Sequence, residues 1–414
     1  MLREVAPLPD EIVPLPEALG RVLAEAVVSP LALPPWDNSS MDGYAVRAGD
    51  VRGATPAAPV TLRVVATVAA GAASDRALGT GEAIRIMTGG PVPAGADSVI
   101  RVEDTDGGTD TVRVRNDRDA LKNVRPRGED LGKGDIAVRR GARLGPGQLG
   151  VLASIGRGSL RVHRRARVAL LASGDELVDV DRFDEVLAGR KIVTSNSYSL
   201  LAAIRECDAE PVSLGFVPDD PDAIRARLNQ LRDAPCDLLV TTGGVSVGSF
   251  DHTRPVLAAM GLEPRFWRIR IRPGAPVGFG MLGRIPWLGL PGNPVSTLVT
   301  FELLAAPAIR RMHGYAQPFR RTVRLRLAAP VSINAPLVHF HRATVSIEGG
   351  ERVARLTGPQ GSGLLTSMAK ADALVIVRPE RRDLAAGEYV DALMLRGDDW
   401  SDEPPVPAQD TAVS

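Results

Sequence analysis

The stretch Val168-Ala169-Leu170-Leu171-Ala172-Ser173-Gly174-Asp175-Glu176 decides the fold. Its apolar run has no polar alternation, so it reads as a strand covered on both faces, as in a parallel sheet. The run then breaks into a glycine and two acids. Working outward, PVSLGFV (211–217), CDLLVTT (236–242) and IPWLGL (285–290) repeat the pattern. Between and after them stand helical patterns: YSLLAAIREC (198–207), PDAIRARLNQL (221–231), TRPVLAAMG (253–261) and PVSTLVTFELLAA (294–306). Apolar strands alternating with amphipathic helices predict a doubly wound parallel α/β sheet.

The texture differs on either side. Residues 60–138 hold short β-rich runs (VTLRVVATV, GEAIRIM, ADSVIRVED, TVRVR) broken by Gly, Pro and Asp, the pattern of a small β module. Helical spacing is expected before it, from Leu15 to Val28, and after it, from Arg143 to Ile155, where Pro146 suits a first turn. Beyond Tyr315 β patterning returns, from RTVRLRLAAP to YVDALML, and the tail from Asp398 reads as disordered. The fold class is therefore multi-domain α/β plus β. A chain of 414 residues fits that, since single cores stop growing near roughly 250–300 residues.

Lys+Arg at 50 against Asp+Glu at 49 leaves no global field to attract nucleic acid or an anionic membrane. Two cysteines without a C-x-x-C pair argue against a disulfide framework and for a reducing compartment. No apolar run approaches the ~20 residues of a membrane helix, and the amino terminus lacks a signal-peptide core. A cytoplasmic protein is expected. Lysine occurs only at Lys122, Lys133, Lys191 and Lys370, so a single arginine is weak evidence of a special role.

In an open parallel sheet, ligands bind beyond the carboxyl ends of the strands. Four such ends carry polar or glycine-rich turns: Ser173-Gly174-Asp175-Glu176, Pro218-Asp219-Asp220, Gly243-Gly244-Val245-Ser246 followed by Asp251, and Pro291-Gly292-Asn293-Pro294. Asn293 is suited to an N-cap and Pro294 to the first helical position. The glycine pair lets backbone amides approach a phosphate. Each turn alone has the plain reading of a tight turn or a cap; their convergence on one edge raises the functional one. Glu176, Asp219 and Asp251 are hard oxygen donors suited to Mg²⁺, whereas Asp175 and Asp220 read as solvated loop acids. Arg268, Arg270 and Arg272 alternate and are expected on one face of an extended strand, where guanidinium forks grip oxyanions. His339 and His341 bracket Phe340 and read as surface residues. Carboxylates beside arginines suggest metal-assisted chemistry on a phosphorylated substrate.

The block Pro35-Trp36-Asp37-Asn38-Ser39-Ser40-Met41-Asp42-Gly43-Tyr44-Ala45-Val46 resembles the hallmark of the molybdopterin molybdenumtransferase family, the MoeA and gephyrin E-domain proteins. Ile86-Met87-Thr88-Gly89, Arg127-Gly128-Glu129-Asp130, the 173–177 and 243–248 turns, Gly289-Leu290-Pro291-Gly292-Asn293-Pro294 and Gln360-Gly361-Ser362-Gly363 follow in the family order. The resemblance implies a homodimer of four-domain protomers. Their domains would be a discontinuous linker domain (residues 1–30 and 133–164), a β-rich module (31–132), an α/β molybdopterin-binding domain (165–316) and a C-terminal β-barrel-like domain (317–397), before a tail (398–414). It implies substrates molybdate and adenylated molybdopterin, Mg²⁺-dependent release of AMP, and a molybdopterin adenylyltransferase as pathway partner. By matching position, Asp42, Thr88 and Asp130 would reach the cleft from the β module of the other subunit. Catalytic roles then fall to Asp42, Thr88, Glu176, Asp219 and Asp251. Substrate contacts fall to Asp130, Ser173, Gly174, Gly243, Gly244, Ser246, Arg268, Arg272 and the 291–294 turn. Arg268, Arg272 and Ala275 stand where members commonly carry lysine, and Ala275 loses that charge. Two other readings are an adenylyltransferase-like or nucleotide-amide hydrolase activity of the α/β domain, and a non-enzymatic gephyrin-like scaffold.

Overall fold

A computed structural model describes residues 1–68, 71–72, 74–232, 235–244 and 252–395. The chain divides into two compact units, Ile12–Val162 and Met1–Glu11 with the chain from His163 on.

Within Ile12–Val162 the β module is a five-stranded sheet of β1 (Gly43–Val46), β2 (Val60–Val68), β3 (Glu82–Ile86), β4 (Ser98–Arg101) and β5 (Thr111–Val114). Their order is β4-β1-β3-β2-β5, with only β2 and β3 parallel. Strand alternation feeds two cores. Tyr44 and Val46 join Leu62, Ile100 and Val112 on one face; Ala45 joins Val68, Ile84 and Val99 on the other. Gly43 is required at its place, because a Cβ there would lie 2.0 Å from the Ile100 carbonyl oxygen.

The remainder of this unit packs α1 (Pro146–Ser154), with Pro146 in its first turn, through Leu152 onto Val13, Ala18, Leu23, Val138 and Leu144. The helix expected from Leu15 to Val28 does not form. Only Leu15–Ala18 makes a 3₁₀ turn between Pro14 and Gly20, which turns the chain at φ +80°. The following backbone pairs elsewhere: the Gly20 amide donates to Leu144 O and the Leu23 amide to Ala142 O. Non-local pairing has overridden the local apolar spacing.

The second unit is built on a six-stranded sheet. Its strands are β6 (Arg167–Ser173), β7 (Glu210–Val217), β8 (Leu238–Thr242), β9 (Leu262–Phe266), β11 (Gly278–Leu282) and β12 (Ile285–Leu290); the short β10 (Ile271–Arg272) belongs elsewhere. The order is β7-β6-β8-β12-β11-β9. The first four run parallel, as expected; β11 and β9 add an antiparallel edge. Only Gly283 and Arg284 join β11 to β12, too short a connection for a parallel crossover.

Helices α2 (Ser195–Glu206), α3 (Pro221–Asn229), α4 (Thr253–Ala259), α5 (Pro294–Thr300) and α6 (Ala306–Met312) cover both faces. Val168 and Leu170 pack with Leu200, Ile204 and Ile309; Ala169 and Leu171 pack with Ile224, Leu228, Val256 and Leu257. One π turn, Phe301–Ala305, joins α5 to α6 just before Pro307, which has no N–H for the helical ladder.

Five strands then close a barrel: β13 (Thr322–Leu327), β14 (Val338–Glu348), β15 (Glu351–Leu356), β16 (Ala373–Val377) and β17 (Tyr389–Met394). They run β14-β15-β13-β17-β16 and return to β14, while β10 adds to β14 in parallel. Val295 and Val299 of α5 pack on Phe340, Leu374 and Leu393, fastening barrel to sheet. No helix of the described residues is long and apolar enough to cross a membrane.

Candidate functional site

The carboxyl ends of β6, β7, β8 and β12 converge through close backbone approaches. β8 runs into Gly243, at φ +84°, where a Cβ would lie 2.4 Å from the Ser173 carbonyl oxygen. Gly244 is left-handed too, at φ +64°. The next turn lies alongside: a Cβ on Gly292 would sit 3.8 Å from the Gly243 Cα. Hydrogen bonds lock the turns. Asn196 Nδ2 donates to Gly292 O at 2.7 Å and to Thr242 Oγ1 at 3.1 Å, and Thr242 Oγ1 donates to Pro291 O at 3.1 Å. Thr297 Oγ1 donates to Pro291 O and Asn293 O. Asn293 does hold the N-cap position, with Pro294 following, but its side chain makes no cap bond.

The acids gather at the same edge. A Cβ on Gly174 would meet the Glu176 carboxylate at 2.6 Å, so that side chain folds back over the turn. The Asp219 amide donates to Asp175 Oδ1 at 3.0 Å. Burial pushes the Asp219 carboxyl above its ordinary range; the Asp175 and Glu176 charges add to this, against hydrogen bonds from the Asp175 backbone and Ser173. Asp220 instead caps α3, accepting from the Ala223 amide at 2.7 Å. Asp175, read as a solvated loop acid, thus belongs to the cluster, and Asp220 does not. Lys191 Nζ donates to the Asp175 carbonyl. The sequence does not single out Asn196, Thr242, Thr297 or Lys191: the partners of Asn196 and Thr242 lie 46 to 96 positions away, Thr297 bonds locally within its own helix start, and only the polar close of CDLLVTT hints at Thr242.

Ser246 and Asp251 lie outside the described residues. Among the described residues no three His, Cys, Asp or Glu are arranged to hold a metal ion. The donor chemistry of Glu176 and Asp219, carboxylate oxygens in a like-charged cluster, suits a hard cation.

The expected arginine face is broken. β9 stops at Phe266 and only Ile271–Arg272 is extended again, so Arg268, Arg270 and Arg272 do not share one strand. Arg270 Nη2 donates to Pro336 O at 3.1 Å. Arg272 lines a cavity of about 310 Å³ at the barrel, with Ser332, Asn334, His339, His341, Arg342 and Gln360 among its walls. Arg342 is 1% exposed, donates to Ser367 Oγ and Gly361 O, and has no carboxylate partner among the described residues. His339 and His341 are not surface residues: His339 is buried and His341 half-buried. They share a strand face with Ala343 and Val345, which packs into the barrel core. Alternation had not told which face was inward. The acid edge and this basic cavity flank the start of α5: Pro291-Gly292 precedes it, and the Val295 amide donates to Ser362 O, next to Gly361 of the cavity wall.

In the other unit, Asp42 immediately precedes β1. Its Oδ1 accepts from the Thr88 amide at 2.7 Å and hydroxyl at 2.8 Å. The amide bond first, then the hydroxyl, hold this exposed carboxyl below its ordinary range. Asp130 is also exposed, its amide donating to Leu33 O at 3.0 Å.

Comparison with known proteins gives matches along most of the chain. Residues 1–156 match the MoeA N-terminal region (domain I and II), 169–311 a probable molybdopterin binding domain, and 324–395 the MoeA C-terminal region (domain IV). Molybdopterin molybdenumtransferase 2 of Mycobacterium tuberculosis is 36% identical over 394 residues, covering 94% of this chain and 95% of its own. The molybdopterin molybdenumtransferase of Haemophilus influenzae is 35% identical, covering 93% of each chain. The crystal structure of the molybdopterin biosynthesis moeA protein from Pyrococcus horikoshii superposes with a TM-score of 0.81 at 28% identity, over 95% of this chain and 97% of that one.

Proposed function

The chain belongs to the MoeA family of molybdopterin molybdenumtransferases, enzymes of molybdenum cofactor biosynthesis, and on that premise we propose that it takes adenylated molybdopterin and molybdate and releases AMP with the finished cofactor, assisted by Mg²⁺. The observation that carries this reading is the Asp219 cluster at the sheet's carboxyl edge, beside the Gly243 and Gly292 turns.

A half-buried carboxyl among like charges favours a cation beside it. Glu176, Asp219 and Asp251 are the residues that would hold Mg²⁺. When bound there, the ion supplies positive charge that offsets the phosphoanhydride's own. The chain's residues do the rest. Gly243 and Gly244 let backbone amides come close to the phosphates, Ser173 and Gly174 line the same turn region, Ser246 is assigned a substrate contact by the resemblance alone, and the hydrogen-bonded Pro291-Gly292-Asn293-Pro294 turn fixes its far side. The barrel cavity takes molybdate. Its support is Arg342, a buried cation without a carboxylate partner among the described residues, alongside Arg272; Arg268 has no comparable setting.

We further propose a cytoplasmic homodimer, the four-domain division drawn above, and an adenylyltransferase that supplies the substrate. Asp42, pre-ionised by Thr88, and Asp130 would serve the acid edge of the second copy. The test is AMP release from independently prepared adenylated molybdopterin. Release that needs both molybdate and Mg²⁺ is expected; release indifferent to molybdate, or adenylation of free molybdopterin from ATP, would sink the reading. Glu176→Gln keeps shape but removes charge, so it should raise the Mg²⁺ concentration needed for half-maximal release roughly tenfold or more. An unchanged Mg²⁺ titration would remove Glu176 from that role.

A further inference from the structure

The barrel cavity holds two side chains that the reaction as described does not use. His339 Nε2 and both ring nitrogens of His341 are buried and none makes a hydrogen bond of good geometry, although the Gln360 side chain comes close enough to His341 to favour its protonated form slightly. Native proteins rarely leave such atoms unpaired, because burial without a partner forfeits their hydration. The two rings stack at 5.4 Å between centroids with 27° between planes, so their nitrogen edges form one wall. Arg272 from β10 and Arg342 from β14 line the same cavity, and none of the residues lining it is a carboxylate.

We propose that His339 and His341 complete the oxyanion pocket as ring-nitrogen donors, and that filling the pocket draws a proton onto the pair. This rests on the reading of the cavity as the molybdate site. The charges near the rings are Arg272 on β10 and Arg342, which alternates to the other face of their own strand; Gln360 and Asn334 are neutral, and on β16 the residues opposite are Val377 and Val375. The protein's own charge around the rings is positive and disfavours a proton on either. Burial first, then the His339 and Arg342 charges, pushes His341 down to about 4; burial and Arg272 lower His339. A dianion between the arginines reverses that field. The nearest imidazole then gains a proton and donates from it, an uptake that an already charged arginine cannot give. Molybdate capture by this chain is therefore tied to pH near neutrality.

The experiment is calorimetric titration of the full chain with molybdate at about pH 6.5 and about pH 8.5, each in two buffers of different ionisation enthalpy. Net proton uptake per molybdate at the lower pH is expected, with affinity falling roughly tenfold at the higher. The double substitution His339→Gln with His341→Gln should abolish the uptake and flatten the pH dependence. Arg272→Gln, at an exposed position, should weaken molybdate at both pH values alike. If wild type takes up no proton, or the double variant retains the uptake while Arg272→Gln weakens binding, the histidine assignment is wrong and the molybdate site survives. If neither variant alters molybdate binding, the cavity is not the oxyanion site and both readings fall.

Discussion

Asp219 and Asp42 are the same side chain tuned in opposite directions. Two hydrogen bonds from Thr88 favour the Asp42 anion, whereas burial beside Asp175 and Glu176 disfavours the Asp219 anion. A carboxyl whose folded pKa is raised contributes stability at low pH that is lost as pH rises through that folded value. At neutral pH, then, ionised Asp219 is a burden carried for function. Asp219→Asn should raise the thermal midpoint at about pH 7 by roughly 1–3 °C while lowering AMP release at least a hundredfold. A lower midpoint with undiminished turnover would show that the carboxylate is structural. His341 has the mirror linkage. Its folded value of about 4 lies below the ordinary 6.5 of the unfolded ring. Between these the unfolded chain binds the extra proton, so stability should fall as pH drops through that window and level off below it. His341→Gln should flatten the slope of midpoint against pH from about 6.5 to about 4. A slope as steep as wild type would mean that the loss of stability comes from other groups.

At the scale of elements, the turns matter more than the strands that deliver them. Gly243 meets two demands at once: a left-handed backbone, and a Ser173 carbonyl where a side chain would sit. Gly243→Ala should therefore destabilise the sheet unit by about 2–4 kcal/mol in denaturant unfolding and cut AMP release more than tenfold. Near-wild-type values for both would mean the turn is not held as drawn. Elements with a strong local signature were legible in the sequence. The VALLA run (168–172) is apolar at every position because helices cover both faces, and the polar residues after it announce the strand's end. What the sequence hid was non-local. Leu15 to Val28 has helical spacing, yet Gly20 and Leu23 pair with Leu144 and Ala142, over a hundred positions away. Asn196 looks like an ordinary helix-start residue until Gly292, 96 positions on, accepts from it. The histidine pair alternates correctly, but only closure of β14 against β16 makes its face an inner one. Arg272 was picked for its charge; the break after Phe266 decided that it, and not Arg268, lines the barrel cavity.

At the scale of the whole molecule the proposed machinery is split. The acid edge and the basic cavity belong to the unit from His163 on, while Asp42 and Thr88 belong to Ile12–Val162. A homodimer can satisfy the chemistry in two ways: each copy supplies its own Asp42, or the copies exchange. Closed two-fold symmetry makes any exchange reciprocal, and that distinguishes the two arrangements. Asp42→Ala should be nearly inactive as a pure dimer, and Glu176→Gln strongly impaired at the Mg²⁺ concentration that half-saturates wild type, where the test is run. A mixed dimer, purified through two different tags, behaves differently in each case. With exchange, one of its sites combines intact Asp42 from one chain with intact Glu176 from the other, and its second site carries both substitutions. About half of wild-type AMP release per dimer is then expected. Without exchange every site keeps one lesion, and mixing restores nothing. An inactive mixed dimer that still binds molybdate would confine each site to a single chain and overturn the exchange.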